Sequence, residues 1–352
     1  MSEARRCTRV DYAEAPGTAP LDQPTANGAM VAVEKKAFVF GGFSNGGSHG
    51  QIAEYDLATK QWTKRPGLPA ARSEGTAVVL GAHVVLFGGW NDHDALAATI
   101  VTKASSLAEG KTDAWQPLAA AAAALRSNDD DGAPEAPATV LEPPPRRMHA
   151  MCVYQPTAEG AAPCAYVFGG FSGTSRLNDL WRLDGETLTW THVECQGFPP
   201  SPRDSAALAA NPEQGQLLVF GGYATSRVNE LFTLDVETGT WARQPTSMPP
   251  AARFGTFAVV SGDQLVAGMG QDARGASAGV FALKLSTWKW ALLPVEGDEL
   301  EARINFAWCT SDGGKRLIIA GGSTDVRQCT AVQEIELEKV EAAAGSPAGK
   351  KK

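Results

Sequence analysis

The sequence predicts an all-β protein built as a closed ring of six similar sheets. The first observation is a recurring glycine pair, present in five intact copies and one degraded copy, Met269/Gly270. The intact pairs are Gly41/Gly42, Gly88/Gly89, Gly169/Gly170, Gly221/Gly222 and Gly321/Gly322. Most copies are roughly 50 residues apart, which is about the length of one four-stranded sheet with its turns. This period is typical of a β-propeller blade.

The second observation is the type of segment that precedes each glycine pair. These segments read AFVF, VVLF, AYVF, LLVF and LIIA. They are short, rich in β-branched and aromatic residues, and apolar on both faces, which predicts strands covered on both sides. Blades stacked around a ring provide that cover, because each sheet packs against the sheets before and after it.

The third observation is a turn that ends in tryptophan. Asp, Thr and Trp recur at steps of three residues in Asp56-Thr59-Trp62, Asp184-Thr187-Trp190 and Asp235-Thr238-Trp241, and Lys284-Thr287-Trp290 has lost the Asp. Asp and Thr at these offsets are expected to bond the turn backbone, and each Trp is expected to fill the space between blades. Trp115 follows the second glycine pair at a similar distance. A tryptophan cage for a ligand is the alternative interpretation.

The order of these signals resembles the kelch repeat. Each full copy has the glycine pair, then N-D-L-W (residues 178–181) or N-E-L-F (residues 229–232), then D-x-x-T-x-x-W and P-x-x-R. The resemblance is strongest to host-cell-factor-like and Rab9-effector-like kelch proteins. It implies a six-bladed propeller, and most such propellers bind other proteins.

We expect one propeller over residues 1–340 whose ring is closed by the N-terminal strand. The last copy lacks a fourth strand, and residues 5–10 (RRCTRV) stand where that strand is needed. Closure would remove the open sheet edges that favour aggregation. The predicted boundaries are 5–10 for the closing strand of blade 6, 27–65 for blade 1, 75–117 for blade 2, 148–194 for blade 3, 204–244 for blade 4, 254–293 for blade 5 and 304–339 for blade 6.

Two segments lie outside this pattern. Residues 118–145 form a low-complexity insertion of alanine, proline and aspartate, which we expect to be a mobile loop with at most two helical turns and no contribution to a core. It is either a solvated spacer or a partner-binding segment. Residues 341–352 are expected to be a disordered tail.

Composition limits the classes of partner. The chain carries a net charge of −8, which argues against nucleic acid, and it has no secretory h-region and no apolar run long enough to span a membrane. The six cysteines include no C-x-x-C pair, so reduced thiols are expected. We therefore expect a monomeric, cytoplasmic protein.

An arginine precedes five of the six blades, at Arg72, Arg146, Arg203, Arg253 and Arg303, and Thr25 takes its place before blade 1. We interpret these arginines as scaffold that bonds backbone carbonyls, with ligand contact as the alternative.

The loops after the glycine pairs should meet on one face around the channel, and they supply the predicted binding residues. Four arginines and four aromatic residues stand there. They are Arg176, Arg227, Arg274, Arg327, Phe43, Trp90, Phe171 and Tyr223. Arginine and aromatic residues dominate interface hot spots, and an arc of arginines suits an acidic or phosphorylated segment. The opposing interpretation is that the aromatics fill the core and the arginines are solvated.

No catalytic motif is present: the sequence lacks G-x-S-x-G, a phosphate loop and a dinucleotide fingerprint, and we predict no catalytic residues and no cofactor. His49 and His93, with Asp92 and Asp94, are weak metal candidates because they lie in equivalent loops of adjacent blades. The preferred function is a protein-interaction adaptor or scaffold. The alternative is a small-molecule enzyme of the sugar mutarotase type. Bacterial sialic-acid mutarotases are also six-bladed kelch rings, and they need only a carboxylate and an arginine in the channel mouth.

Overall fold

Six antiparallel sheets are arranged as the blades of a propeller. The fold is that of a computed structural model, which describes residues 5–10, 25–111, 115–126 and 141–337. Strands are numbered along the chain from β1 (Arg5–Val10). Every blade begins with its innermost strand at the channel and proceeds outwards, so the six-bladed fold predicted from the sequence is confirmed.

The first three blades contain four strands each. Blade 1 consists of β2 (Ala29–Val33), β3 (Lys36–Ser44), β4 (Gly47–Asp56) and β5 (Trp62–Arg65). Blade 2 consists of β6 (Thr76–Leu80), β7 (His83–Phe87), β8 (Thr99–Lys103) and β9 (Gln116–Pro117), with the short helix α1 (Ala104–Ala108) between its last two strands. Blade 3 consists of β10 (Ala150–Tyr154), β11 (Cys164–Phe171), β12 (Arg176–Asp184) and β13 (Trp190–His192).

Blades 4 and 6 carry a fifth strand that runs parallel to the outer edge. Blade 4 consists of β15 (Ala207–Asn211), β16 (Gln216–Phe220), β17 (Leu231–Asp235) and β18 (Thr240–Gln244), with β14 (Gln196–Gly197) outermost. Blade 5 consists of β19 (Phe257–Ser261), β20 (Gln264–Gly268), β23 (Val280–Lys284) and β24 (Lys289–Leu292), and its loop contains the small hairpin β21 (Gln271–Asp272) and β22 (Gly275–Ala276). Blade 6 consists of β26 (Ala307–Ser311), β27 (Arg316–Ala320), β28 (Val332–Glu336) and β1, with β25 (Val295–Gly297) outermost. Short 3-10 turns occupy Pro212–Gln214 and Asp312–Gly314.

The ring is closed by the first strand of the chain, as predicted. β1 pairs antiparallel with β28, so that Cys7 lies opposite Ile335 and Val10 lies opposite Val332. On its other side β1 pairs in parallel with β25. The outer edge of blade 6 is thereby covered by a strand from the opposite end of the sequence.

The hydrophobic core is divided into six parts, one between each pair of neighbouring blades. Five of the six parts contain one of the repeat tryptophans, as the sequence predicted: Trp62 between blades 6 and 1, Trp115 between blades 1 and 2, Trp190 between blades 2 and 3, Trp241 between blades 3 and 4, and Trp290 between blades 4 and 5. All five are buried. They are core residues and do not form a cage.

The turns before the tryptophans are closed by aspartate. Asp184 Oδ1 accepts hydrogen bonds from the backbone N–H groups of Glu186 and Thr187, both at 3.0 Å, and from the Thr187 hydroxyl. Asp56 and Asp235 bond their own turns in the same way. In blade 5, where Lys284 replaces the aspartate, Asp263 of the adjacent hairpin accepts bonds from the backbone and hydroxyl of Ser286.

The arginines that precede the blades are scaffold residues. Each donates from Nη1 to the carbonyl of the first residue of the glycine pair in the blade that follows, for example Arg203 to Gly221 at 3.1 Å. The backbone at the same position links to the preceding blade, since Gly170 N–H donates to the Arg203 carbonyl. A Cβ at Gly169, where φ is +62°, would lie 2.6 Å from that carbonyl, so this close approach requires glycine.

Blade 1 replaces the arginine with two smaller side chains. Thr25 Oγ1 donates to the Gly41 carbonyl at 3.4 Å and lies 3.0 Å from His49 Nε2. In blade 1 the Thr25 hydroxyl therefore makes the bond to the glycine-pair carbonyl that an arginine makes in the other blades. Burial lowers the pKa of His49.

The insertion differs from the expectation in its first part. Leu118–Arg126 forms the helix α2, and Leu118, Ala121 and Ala122 are buried in the core between blades 2 and 3. The prediction that this composition contributes nothing to a core was wrong here, because residues at helical spacing bring one face of α2 into the core. Residues 127–140 and the predicted tail at 341–352 lie outside the described residues.

The remaining general expectations concern thiols and membranes. All six cysteines are free in the structure. No helix within the described ranges is both long and apolar enough to cross a membrane.

Candidate functional site: the channel mouth

The channel mouth is formed where the loops after the glycine pairs meet the chain entering the innermost strands. At each blade the residue after the scaffold arginine pairs with the residue after the glycine pair. The six pairs are Ala26 with Phe43, Ser73 with Trp90, Arg147 with Phe171, Asp204 with Tyr223, Phe254 with Gln271, and Ile304 with Ser323. The repeat therefore places two variable side chains from every blade side by side at the mouth.

Over blades 2 to 5 several of these side chains, together with two loop arginines, form a stack of guanidinium groups and aromatic rings. We call it the mouth ladder; it consists of Trp90, Arg147, Phe171, Arg176, Tyr223, Phe254 and Arg227. The Arg147 guanidinium lies 4.5 Å from the Trp90 ring centroid and 5.4 Å from that of Phe171. Arg176 lies 4.7 Å from the Tyr223 ring. Cation–π contacts of this kind hold planar groups in one orientation before any ligand binds.

The ladder continues across two further aromatic rings. Tyr223 and Phe254 meet edge to face with ring centroids 5.7 Å apart, and the Arg227 guanidinium lies 5.4 Å from the Phe254 ring. Ladder residues thus reach from the second blade to the fifth without interruption.

Two ladder arginines are neutralised by carboxylates that precede the innermost strands of neighbouring blades. Arg147 Nη1 lies 2.7 Å from Glu74 Oε2, and Arg176 Nε lies 2.6 Å from Asp204 Oδ2. Burial raises the pKa of Glu74, although the Arg147 guanidinium acts in the opposite direction. Asp204 also accepts a bond from the Ser205 hydroxyl at 3.0 Å. These pairs fix the arginines and reduce the net positive charge of the mouth.

The structure divides the eight predicted binding residues. Trp90, Phe171, Tyr223, Arg176 and Arg227 belong to the ladder. The other three lie apart from it: Phe43 is exposed on blade 1, Arg274 is exposed on blade 5, and Arg327 on blade 6 pairs with Glu301. The predicted arginine arc is therefore not one continuous set.

The weak metal candidates are engaged in the loops where they stand. The His49 ring contacts Thr25, and the Asp92 carboxylate accepts bonds from the backbone N–H and hydroxyl of Ser48 at 2.7–2.9 Å. His93 and Asp94 are exposed, and their backbone N–H groups donate to Asn91 Oδ1. Among the described residues no three His, Cys, Asp or Glu side chains are grouped so as to hold a metal.

Directly below the ladder, one residue of each blade has a left-handed backbone. These residues are Asn27, Glu74, Met148, Ser205, Gly255 and Asn305, with φ between 52° and 63°. Backbone hydrogen bonds of 2.6–2.9 Å connect them around the ring, as from Ser205 N–H to the Met148 carbonyl. Five such bonds link the six blades, and they hold the mouth at a fixed width.

The channel behind this circle is a cavity of about 840 Å³ lined by the innermost strands of all six blades. The lining residues contributed by these strands include no charged side chain, and the charged side chains that line the cavity, Glu74, Arg147, Arg176 and Asp204, all stand at the mouth. The polar chemistry of the cavity is thus concentrated where the ladder lies.

Sequence reasoning missed four residues of this site: Glu74, Arg147, Asp204 and Phe254. Their signal was positional, because three of them directly follow a scaffold arginine and Glu74 is one residue further on. Aligning the copies on that arginine would have placed them at the mouth.

A closed six-bladed ring with scaffold arginines, glycine-pair strands and buried tryptophans defines the class of kelch-type β-propellers. Comparison with known proteins agrees: the profile of the KLHDC2/KLHL20/DRC7 Kelch-repeats domain matches residues 157–342, and that of the Kelch motif matches residues 24–69. The chain belongs to the kelch-repeat family.

Similar proteins come from plants and animals. Acyl-CoA-binding domain-containing protein 5 of Arabidopsis thaliana is 35% identical over 130 residues, which is 36% of this chain and 20% of that protein. Host cell factor 2 of Homo sapiens is 26% identical over 277 residues, 71% of this chain and 31% of that protein. The leucine-zipper-like transcriptional regulator 1 homolog of Drosophila melanogaster is 26% identical over 242 residues, 64% of this chain and 22% of that protein.

The chain therefore spans less than a third of the length of these relatives. The family and the host-cell-factor-like relatives support a role as a protein-interaction module.

Proposed function

We propose that this propeller is a cytoplasmic adaptor or scaffold that binds an acidic segment of a partner protein across the mouth ladder. The observation that carries the proposal is the ladder itself, in which arginine and aromatic side chains are stacked over four blades. These residue types contribute most of the binding free energy at protein interfaces.

The physical support is that the ladder is ordered before binding. Immobilising a long side chain at an interface costs about 0.5–1.5 kcal/mol. Arg147 and Arg176 are already immobilised in the free protein, because they stack on aromatic rings and form ion pairs with Glu74 and Asp204. The guanidinium groups are then free to donate further bonds without losing rotamer freedom.

The test is capture of a partner from native lysate by the wild-type protein and by the double variant Phe171→Ala, Tyr223→Ala. Phe198→Ala is the matched control, because Phe198 is 81% exposed but lies against the outer strand of blade 4, away from the mouth. We expect the wild type and the control to retain a specific partner and the double variant to lose it. Melting curves establish that all three proteins are folded.

The proposal fails if the double variant captures the same proteins as the wild type. It also fails if the Phe198→Ala control loses the partner to the same extent, because the outer rim would then be the binding surface.

A second function, sugar mutarotation, is favoured by one specific observation. The pairs Glu74–Arg147 and Asp204–Arg176 both line the 840 Å³ cavity, so a carboxylate and a guanidinium converge at a concave pocket, as an acid–base reaction on a sugar requires. The exchange between the anomers of sialic acid, followed by proton NMR, tests it. Acceleration that is lost in Glu74→Gln would establish this function, and a rate equal to that in buffer would exclude it.

A further inference from the structure

Arg227 and Arg176 occupy equivalent positions in consecutive repeats. Each stands two residues before an asparagine that donates to a proline carbonyl, Asn178 to Pro200 at 3.1 Å and Asn229 to Pro250 at 3.0 Å. From this common position each arginine reaches the residue that follows the scaffold arginine of the next blade. The two arginines therefore hold equivalent places in their repeats.

The residue that each arginine meets is different. Arg176 meets Asp204 and forms an ion pair of 2.6 Å, whereas Arg227 meets Phe254 and lies over its ring at 5.4 Å. Among the described residues, no carboxylate lies within ion-pair distance of Arg227. Its Nε–H is buried and has no hydrogen-bond partner in the same ranges. Arg227 as a whole is only half-buried, so an incoming acceptor would bind its exposed part and not the enclosed Nε–H.

We infer that Arg227 is the anion-binding position of the ladder, and that the carboxylate of a Glu or Asp in the partner binds there as Asp204 binds Arg176. This inference rests on the proposed function and singles out the ladder arginine that no carboxylate within the described ranges neutralises. Tyr223 and Phe254 present adjacent rings beside it. The residues that flank the bound acid should therefore be apolar or aromatic.

The charges at the mouth favour a carboxylate over a phosphate. Arg147 and Arg176 already pair with Glu74 and Asp204, so Arg227 is the ladder guanidinium for which the described part of the chain supplies no counter-charge. A carboxylate matches that single charge, whereas a phosphoryl group carries about −1.5 to −2 at neutral pH. Because Arg147 and Arg176 are already neutralised by Glu74 and Asp204, they do not match the excess negative charge. The expectation of an acidic or phosphorylated ligand is thereby narrowed to an acidic one.

The test exploits the difference between the two repeats. Phe254→Asp places at Arg227 the same residue type that neutralises Arg176, while Phe254→Asn removes the same ring and adds no charge. The probes are capped peptides with one Glu, one Gln or one phosphoserine between phenylalanines, and binding is measured by fluorescence anisotropy. Arg227→Ala removes the cation, and Arg274→Ala is the control, because Arg274 is an exposed arginine of the next loop.

We expect the wild type, Phe254→Asn and Arg274→Ala to bind the Glu peptide about tenfold more tightly than the Gln peptide, because hydrogen bonds to a charged group are stronger than those to a neutral one. That preference should disappear in Phe254→Asp and in Arg227→Ala. If Phe254→Asp does not fold, the comparison of Arg227→Ala with Arg274→Ala decides the question alone.

Three results would overturn the inference: no preference for Glu in the wild type, a preserved preference in Arg227→Ala, or tighter binding of the phosphoserine peptide. The proposed function is judged separately. If Phe171→Ala, Tyr223→Ala loses the native partner while Arg227→Ala retains it, the ladder is the binding surface and the role given to Arg227 is wrong.

Discussion

Two arginines share the carboxylate of Glu230, and comparing them measures what a buried scaffold arginine contributes to stability. Arg203 is fully buried and bonds Glu230 Oε2 at 2.9 Å, whereas Arg243 is 66% exposed and lies 3.3 Å from Glu230 Oε1. The acidic partner is the same in both pairs. Replacing each arginine by alanine therefore compares a buried ion pair with an exposed one.

The loss in Arg203→Ala has several sources. Besides Glu230, Arg203 donates to the Gly221 carbonyl at 3.1 Å and to both the carbonyl and the hydroxyl of Ser201, and it lies over the Phe232 ring. Removing one partner of a buried ion pair typically costs about 3–5 kcal/mol. Removing an exposed partner such as Arg243 typically costs about 1 kcal/mol or less.

The expected result is a fall in melting temperature that only the buried substitution produces. At about 2.1 cal/mol/K per residue, a chain of 352 residues unfolds with an entropy of about 0.7 kcal/mol/K. A loss of 3–5 kcal/mol then lowers the midpoint by about 4–7 °C in Arg203→Ala, and Arg243→Ala should stay within about 1 °C of the wild type. Differential scanning calorimetry of the three proteins gives these values.

Equal midpoints for Arg203→Ala and Arg243→Ala would refute the reasoning, because the scaffold role assigned to the arginines requires the buried one to matter more. A second comparison separates charge from volume. Arg203→Met together with Glu230→Gln removes both charges and retains bulk, so it should recover part of the loss seen in Arg203→Ala.

Three further predictions concern closure, pH and backbone strain. Deleting residues 1–10 removes the β1 pairing to β28 and the buried Cys7. We expect the free energy of unfolding measured in urea to fall by at least about 3 kcal/mol. An unchanged urea midpoint would contradict closure by this strand. Burial, with a smaller contribution from Arg146, lowers the pKa of His149 to about 3, below its unfolded value of about 6.5. The unfolded state therefore binds more protons, and stability should fall by roughly 1 kcal/mol per pH unit as the pH is lowered from 6 to 4. This slope should be smaller in His149→Gln, and an equal slope in both proteins would exclude His149 as its source. Met269→Gly relieves a left-handed φ of 58°, which should stabilise the protein by about 1–2 kcal/mol. It also removes a fully buried side chain, which should cost about 2–5 kcal/mol. We expect net destabilisation, and a higher midpoint of thermal unfolding in the variant would show that strain dominates.

The blade architecture could be predicted because its signals are local. The bonds of Asp184 to Thr187 join residues three apart, and the glycine pair stands at one end of a single strand. Each copy repeats these short-range relations, so six copies reinforce one interpretation. Ring closure was also predictable, because the missing fourth strand and the unassigned N-terminal segment could be matched by count.

The candidate site could be predicted only in part because its contacts join different repeats. Arg176 meets Asp204 across 28 positions of sequence, and nothing local distinguishes that carboxylate from others on the surface. The left-handed backbone conformation of Glu74 and Met148 could not be predicted from the sequence either, since these residue types have no preference for it. The packing of α2 was missed because an alanine run has little hydrophobic signal, although a neighbouring groove can accept it.

The way the ring is fastened also determines how the protein responds to mechanical load. In the antiparallel pair that closes blade 6, Cys7 faces Ile335 and Val10 faces Val332, so residues 5 and 337 lie at the same end of the pair. A force applied between those two points opens the hydrogen bonds one after another, starting at the loaded end, and does not shear them all together. Tension should therefore peel β1 from β28 at low force and release blade 6 before the other five blades, which optical-tweezer extension of the tethered protein can record as an early, separate step.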